Sequence, residues 1–282
     1  MIVYFNGEFL SKDAVRLSPD DRGFLFGDGV YEATASYDGR FLALDRHMAR
    51  LQRGLDELEI GGVAADSLIP VHHELLRQND LTSTWAMVYV QVTRGAAAQR
   101  THAFPAPRVP ATVYAVARKV VPKYSAERGV GAITVPDLRW SRCDLKTTNI
   151  LPNCLANQQA QEAGCYEAIF VRDGAALEGT HTGLFAVIGG ELRTSPLSNY
   201  MLPSVTRELV LDLCCRHGIP VRETALPIDE LRAAEEIFLV GTTSEVLPVV
   251  DLDGRKLGGG VPGPISRRLQ SLFHELSRGP SD

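Results

Sequence analysis

The chain has 282 residues, room for one large domain or two ordinary ones. Hydrophobic residues make up 45% and charged residues 22%, which excludes a disordered or low-complexity protein. A formal net charge of -5 argues against nucleic acid as a partner, and no apolar run reaches the length of a membrane span.

The start, Met1-Ile2-Val3-Tyr4-Phe5-Asn6-Gly7-Glu8, lacks the basic region and cleavage site of a signal peptide. Cysteines fall at 143, 154, 165, 214 and 215, an odd count with no C-x-x-C pair. The expectation is a cytoplasmic protein with reduced thiols and no zinc site. His72-His73-Glu74 does not match H-E-x-x-H, so a surface helix face is expected there instead of a metal centre.

In chain order, Asn6-Gly7 between two apolar runs predicts a tight hairpin, because that pair adopts the positive φ of a type I′ turn. Asp21 to Glu32 carries three glycines in seven positions, a Gly-rich loop that packs backbone closely or simply turns. A second hairpin is predicted from Val30 to Leu44 around Asp38-Gly39. Asp45 is placed to cap a helix reaching about Ile60, with Leu44, Met48, Leu51, Leu55 and Leu58 as its buried stripe. Arg46, Arg50 and Arg53 form the neighbouring stripe. A solvated charged face is its ordinary meaning, and an anion site is the sharper one for Arg50.

Leu68 to Arg77 predicts a further helix, and Trp85 to Thr93 and Ala111 to Ala117 predict strands. The small-residue loop between these strands carries Arg100 and His102, which can trap a carboxylate or can remain solvated loop charges. A composition shift places a linker at 119–127, with a small α/β domain at 1–118 and a larger domain at 128–282. That larger domain is expected to carry Lys146, in the polar stretch between the strand at Gly131–Val135 and a helix that starts near Pro152. On spacing alone such a lysine is a surface charge.

Strands are then predicted over Tyr166–Val171, Leu184–Ile188, Val221–Leu226, Glu236–Val240 and Val246–Val250. Ser204 caps a helix running to His217, and a C-terminal helix closes the chain. Arg50, the Ser204-Val205-Thr206 helix start and the Gly241-Thr242-Thr243 turn are each weak anion sites. Together they would make a phosphate cup. A reactive lysine beside a phosphate cup suits a phosphorylated aldehyde, and Glu178 is the acid available to keep a pyridine nitrogen protonated.

Phe26-Gly27-Asp28-Gly29-Val30-Tyr31-Glu32, Arg50, Val92-Thr93-Arg94-Gly95, Asp144-Leu145-Lys146-Thr147, Gly164-Cys165-Tyr166-Glu167-Ala168, Glu178-Gly179, Thr206-Arg207 and Thr242-Thr243-Ser244-Glu245 run in order along nearly the whole chain. As a set they resemble the class IV, branched-chain-type aminotransferases. Arg100-Thr101-His102 is similar to the Arg-x-His pair of the D-amino-acid enzymes in that family. The resemblance implies a mixed α/β, two-domain fold of type IV with pyridoxal 5'-phosphate at the domain interface.

It implies that Lys146 binds the cofactor covalently and moves the substrate proton, and that Glu178 meets the pyridine nitrogen. Arg50, Val205, Thr206, Gly241 and Thr242 would hold the phosphate, and Leu202 would lie against the cofactor. Tyr31, with Arg100 and His102 from a partner subunit, would bind the substrate carboxylate, which implies a homodimer. The expected reaction is ping-pong transfer of an amino group from a D-amino acid to 2-oxoglutarate, both small molecules. Alternatives in the same family are a branched-chain L-amino-acid transaminase, an (R)-amine transaminase and aminodeoxychorismate lyase. This chain departs from the family pattern at Thr180-His181-Thr182-Gly183, at Gly241 in place of Ser, at Ser204 in place of Gly, and in a loop before Arg100 one residue longer.

Overall fold

The computed structural model describes residues 1–122 and 124–279; Lys123, within the expected linker, lies outside the described residues. The chain divides into two compact units. The first holds Met1–Val120 together with Leu145–Ile150, and the second holds Val121–Asp144 and the described residues from Leu151 on.

The first unit is built on a six-stranded antiparallel sheet. Its elements are β1 (Ile2–Phe5), β2 (Glu8–Ser11), α1 (Arg22–Phe26), β3 (Gly29–Tyr37), β4 (Arg40–Phe41), α2 (Leu44–Glu57), α3 (Ile69–Gln78), β5 (Trp85–Thr93) and β6 (Thr112–Lys119), with sheet order β2-β1-β6-β5-β3-β4. Asn6 and Gly7 both take positive φ, as do Asp38 and Gly39, so each two-residue turn has the twist its flanking strands need. Along β3 the residues Val30, Glu32, Thr34 and Ser36 are all buried. Met48, Leu51 and Leu55 of α2 pack with Val30, Val88 and Val90 into one core. Each such buried side chain contributes about 1.5–3 kcal/mol.

Asp45 does not cap α2. Ala43 does, at φ 51°, and Asp45 falls in the first turn, where its charge still favours the helix dipole. The Gly-rich stretch is not only a loop either. Asp21 accepts a hydrogen bond from the Gly23 amide and starts α1, which Gly27 ends at φ 67°. His72 is fully buried rather than on a surface face, with Nδ1 2.7 Å from the Leu68 carbonyl oxygen.

The second unit holds a mixed ten-stranded sheet with helices. In order its elements are β7 (Val130–Pro136), α4 (Leu151–Glu162), β8 (Glu167–Arg172), β9 (Ala175–Gly179), β10 (Gly183–Ile188), β11 (Glu191–Thr194), α5 (Val205–Arg216), β12 (Val221–Glu223), β13 (Leu226–Pro227), α6 (Ile228–Arg232), β14 (Glu236–Gly241), β15 (Glu245–Leu252), β16 (Arg255–Lys256) and α7 (Pro264–Arg278). The order is β12-β11-β10-β14-β15-β7-β8-β9-β13, with β16 on β15. β7 runs parallel to β8, and Ala156 and Ala160 of α4 pack on Val135, Ala168 and Phe170 of this pair. The strand expected over Val221–Leu226 is two strands. The Thr224 amide turns to the Thr194 carbonyl, β12 pairs with β11, and β13 pairs with β9.

Lys146 was expected in the C-terminal domain. Its contacts place it in the first unit, because Leu145–Ile150 runs beside β3. Val30 and Thr147 form an antiparallel bridge, and the Thr148 amide donates to the Gly29 carbonyl at 2.9 Å. Pairing with β5, not the Lys146 segment, explains the glycine at 29: a Cβ there would lie 2.8 Å from the Val92 carbonyl oxygen, too close for any other residue.

Candidate active site

In the first unit, the Tyr31 amide donates to the Lys146 carbonyl at 2.9 Å, and Lys146 Nζ lies 4.3 Å from the Tyr31 ring centroid. The lysine is half-buried, and its head rests on an aromatic face, an arrangement that holds the amine without consuming it in a carboxylate pair. Arg50 emerges from α2 beside β3. Its Nε lies 2.6 Å from Glu32 Oε1 and its Nη2 2.9 Å from Oε2, while His47 Nδ1 lies 2.8 Å from Oε2. Burial alone would raise the Glu32 carboxyl, but Arg50 and His47 overrule it and hold it far below the carboxylate range. Burial pushes His47 down in turn, against the pull of Glu32. Arg50 is therefore paired with a buried carboxylate that His47 shares, not a member of a solvated stripe.

Arg100 and His102 sit on the exposed loop after β5. The Arg100 guanidinium lies 4.8 Å from the Phe26 ring centroid, and the His102 ring meets Phe26 edge-on at 5.9 Å. Thus Lys146 and Tyr31 are in contact, and Arg100 and His102 share Phe26.

In the second unit, Glu178 is the penultimate residue of β9 and a buried carboxylate. Oε1 lies 2.5 Å from Arg139 Nη1, and the Leu202 amide donates to both oxygens at 3.1 and 3.3 Å. Arg139 is itself fixed by Asp137 at 2.9 and 3.0 Å, and Arg172 reaches the same Asp137 at 3.1 Å. Val205 and Thr206 form the first turn of α5, whose Ser204 cap accepts from the Arg207 amide at 3.2 Å. First-turn amides have no acceptor inside their own helix, so Val205 and Thr206 are placed to bind an anion.

Gly241 closes β14, and Thr242 opens the turn to β15. Tyr124 and Tyr166 brace that turn. The Tyr124 hydroxyl donates to the Thr243 carbonyl at 2.6 Å, and the Tyr166 hydroxyl lies 2.8 Å from Ser244 Oγ. His181 lies 3.3 Å from the Tyr166 hydroxyl and 3.0 Å from Glu167 Oε2, so this departure from the family pattern joins the brace. Burial would raise Glu167, but His181 and the hydroxyls of Thr180 and Thr182 hold it low.

Sequence reasoning assigned no role to Glu32, His47, Arg22, Asp137 or Arg139. Glu32 was traceable: it is the one charge in the alternating stripe Val30, Glu32, Thr34, Ser36, where a carboxylate demands a partner. Taken unit by unit, the chemistry present suits a phosphorylated pyridine aldehyde: the first unit carries an amine and a guanidinium, and the second a buried carboxylate, helix-start amides and turn hydroxyls.

The family profile for amino-transferase class IV matches residues 29–252. The chain belongs to the class IV aminotransferases. This family uses pyridoxal phosphate. The chain is 36% identical to the D-alanine aminotransferase of Staphylococcus haemolyticus and 38% identical to that of Bacillus licheniformis, in both cases over 97% of this chain and 96% of the relative. The branched-chain amino acid aminotransferase of Escherichia coli superposes with a TM-score of 0.90 at 26% identity, covering 100% of this chain and 96% of that one. A T.th. branched-chain amino acid aminotransferase, solved with N-(5'-phosphopyridoxyl)-L-glutamate, gives a TM-score of 0.87 at 25% identity, over 98% and 94%. The class IV aminotransferase fold here is accordingly mixed α/β with two sheets, of type IV. Among the described residues no helix is long and apolar enough to cross a membrane.

Proposed function

We propose that the protein transfers the amino group of a D-amino acid, D-alanine first, to 2-oxoglutarate, with pyridoxal 5'-phosphate as cofactor. The observation that carries this reading is full-length similarity to two D-alanine aminotransferases at 36 and 38% identity. When bound, pyridoxal phosphate supplies an electrophilic carbon and a sink for electrons.

The chain's residues would supply the rest. Lys146 anchors the cofactor and, as a free amine, takes the substrate α-proton and returns it. Glu178, kept in place by Arg139 and the Leu202 amide, holds a proton at the pyridine nitrogen. Arg50, the amides of Val205 and Thr206, and Gly241 with Thr242 hold the phosphate, while Leu202 lies against the ring. Tyr31, with Arg100 and His102 of a second subunit, orients the substrate carboxylate and so selects which α-hydrogen faces Lys146. The reading entails a cytoplasmic homodimer.

The test is to incubate the holoenzyme with 2-oxoglutarate and either D- or L-alanine, then measure pyruvate and the configuration of the glutamate formed. Pyruvate from D-alanine alone, with D-glutamate, supports the proposal. A second reading, branched-chain L-amino-acid transamination, is favoured by the TM-score of 0.90 to the Escherichia coli enzyme. Turnover of L-leucine with no turnover of D-alanine would decide for it.

A further inference from the structure

Arg100 and His102 lie on a stretch without strand or helix, and both are exposed. An exposed loop cannot aim side chains at a substrate unless something fixes its backbone. Arg22, only 4% exposed, meets that need. Its Nη1 donates to the Thr101 carbonyl at 2.7 Å and the Ala103 carbonyl at 3.3 Å, and its Nη2 donates to the His102 carbonyl at 3.3 Å. One guanidinium thus binds three consecutive carbonyls centred on His102.

The guanidinium is itself fixed. Its Nε donates to Asp28 at 2.8 Å, and the Arg22 amide donates to the Gly95 carbonyl at 2.9 Å. Asp28 also accepts Arg94 at 2.8 and 3.0 Å, and Arg94 lies 3.5 Å from the ring centroid of Phe104, two residues beyond His102 in the same loop. Asp21 ties the start of α1 to β5 and β6 by accepting the hydroxyls of Thr93 at 3.0 Å and Thr112 at 2.6 Å. The Phe26 ring then receives Arg22 on one contact at 4.7 Å and Arg100 on another at 4.8 Å.

We propose that Arg22 is the positioning residue of the substrate-carboxylate trap: through the carbonyls of Thr101, His102 and Ala103 it sets where Arg100 and His102 stand. The proposal rests on the reading of those two residues as the trap. Arg22 touches no substrate; it acts through the loop backbone, and Asp28 holds it in register.

Arg22→Lys tests it. A lysine keeps the charge but is a single point that cannot span three carbonyls. The holoenzyme variant is expected to raise KM for D-alanine and for 2-oxoglutarate about tenfold, with kcat within about threefold of the parent. Amide hydrogen exchange in the peptide covering 97–105 is expected to accelerate about tenfold or more, with exchange in β3 and β5 unchanged. Asp28→Asn, which leaves Arg22 in place but untethers it, is expected to act in the same direction. Arg100→Ala, measured beside them, checks the trap itself.

A raised KM in Arg100→Ala with an unchanged KM and unchanged loop exchange in Arg22→Lys and Asp28→Asn overturns the role of Arg22 while leaving the trap standing. An unchanged KM in Arg100→Ala removes the trap, and the proposal with it, whatever the loop does. Losses confined to kcat or to melting temperature in both variants also overturn it, because they mark a structural role only.

Discussion

Glu32→Gln tests whether buried charge, and not helix packing alone, fixes Arg50. Glu32 is fully buried and accepts Arg50 at 2.6 and 2.9 Å and His47 at 2.8 Å. The neutral amide keeps the shape but puts an NH2 group against one of two donors, and it removes the Glu32 counter-charge from a nearly buried guanidinium. Breaking a buried pair in this way costs about 3–5 kcal/mol. The Glu32 carboxyl is held below its ordinary value of 4.5, so its contribution is present in full above that value and is lost only as pH falls through the depressed one. At pH 7 the variant therefore shows the whole loss.

With an unfolding entropy of about 2.1 cal/mol/K per residue, a loss of about 3 kcal/mol lowers Tm by about 5 °C if the whole chain unfolds together. If the first unit unfolds alone, the same loss lowers Tm by about 11 °C. Calorimetry of the cofactor-free protein at pH 7 reads the shift, and a cofactor titration reads the second consequence. A guanidinium that has lost its brace should bind pyridoxal phosphate about tenfold more weakly, or about 1.4 kcal/mol. A Tm within about 1 °C of the parent together with unchanged cofactor affinity would refute the reasoning.

Lys146→Ala should abolish turnover of D-alanine, and borohydride treatment of the parent holoenzyme should leave the reduced cofactor on the peptide containing Lys146; label on another peptide excludes that anchor. Glu178→Gln should lower kcat about 100-fold or more while Arg139 remains held by Asp137. Stopped-flow mixing with D-alanine measures this, and a kcat within about threefold of the parent would count against a proton held at the ring nitrogen. His72, pushed down by burial to about 4 from 6.5, stays neutral in the fold while the unfolded chain takes up a proton. Stability should therefore fall as pH drops from about 6.5 to about 4, by up to about 3 kcal/mol, and His72→Phe should flatten that slope in urea melts.

The hairpins were legible because their determinants are local. Asn6-Gly7 and Asp38-Gly39 turn the chain by positive φ at both residues, a property of those residue types. β5 was legible as a run of aromatic and β-branched residues. The elements that escaped depend on what lies elsewhere. α1 is five residues long and contains glycine; it exists because Asp21 caps it while bonding Thr93 and Thr112 far along the chain. The Val221–Leu226 run carries no Gly or Pro to mark a break, yet Thr224 leaves it for the Thr194 carbonyl.

The site divides along the same line. Ser204 as a cap and Gly241-Thr242 as a turn are short-range signals, and both stand where residue chemistry puts them. Lys146 carries no such signal. What distinguishes it from a surface lysine is the pairing of its segment with β3, through Val30–Thr147 and Gly29–Thr148, over a hundred residues away in sequence. Only the family resemblance marked it. The arginines follow suit: Arg22, Arg50 and Arg139 read alike in the chain, and their partners decide what each does. Arg50 meets a carboxylate that His47 shares, Arg139 two carboxylates and the Tyr200 carbonyl, and Arg22 one carboxylate and three carbonyls. A guanidinium presents five donors in a rigid plane, so those acceptors fix its place and orientation. Function at these positions is thus a property of the acceptor set, which the fold assembles from strands and loops that composition and periodicity treat separately.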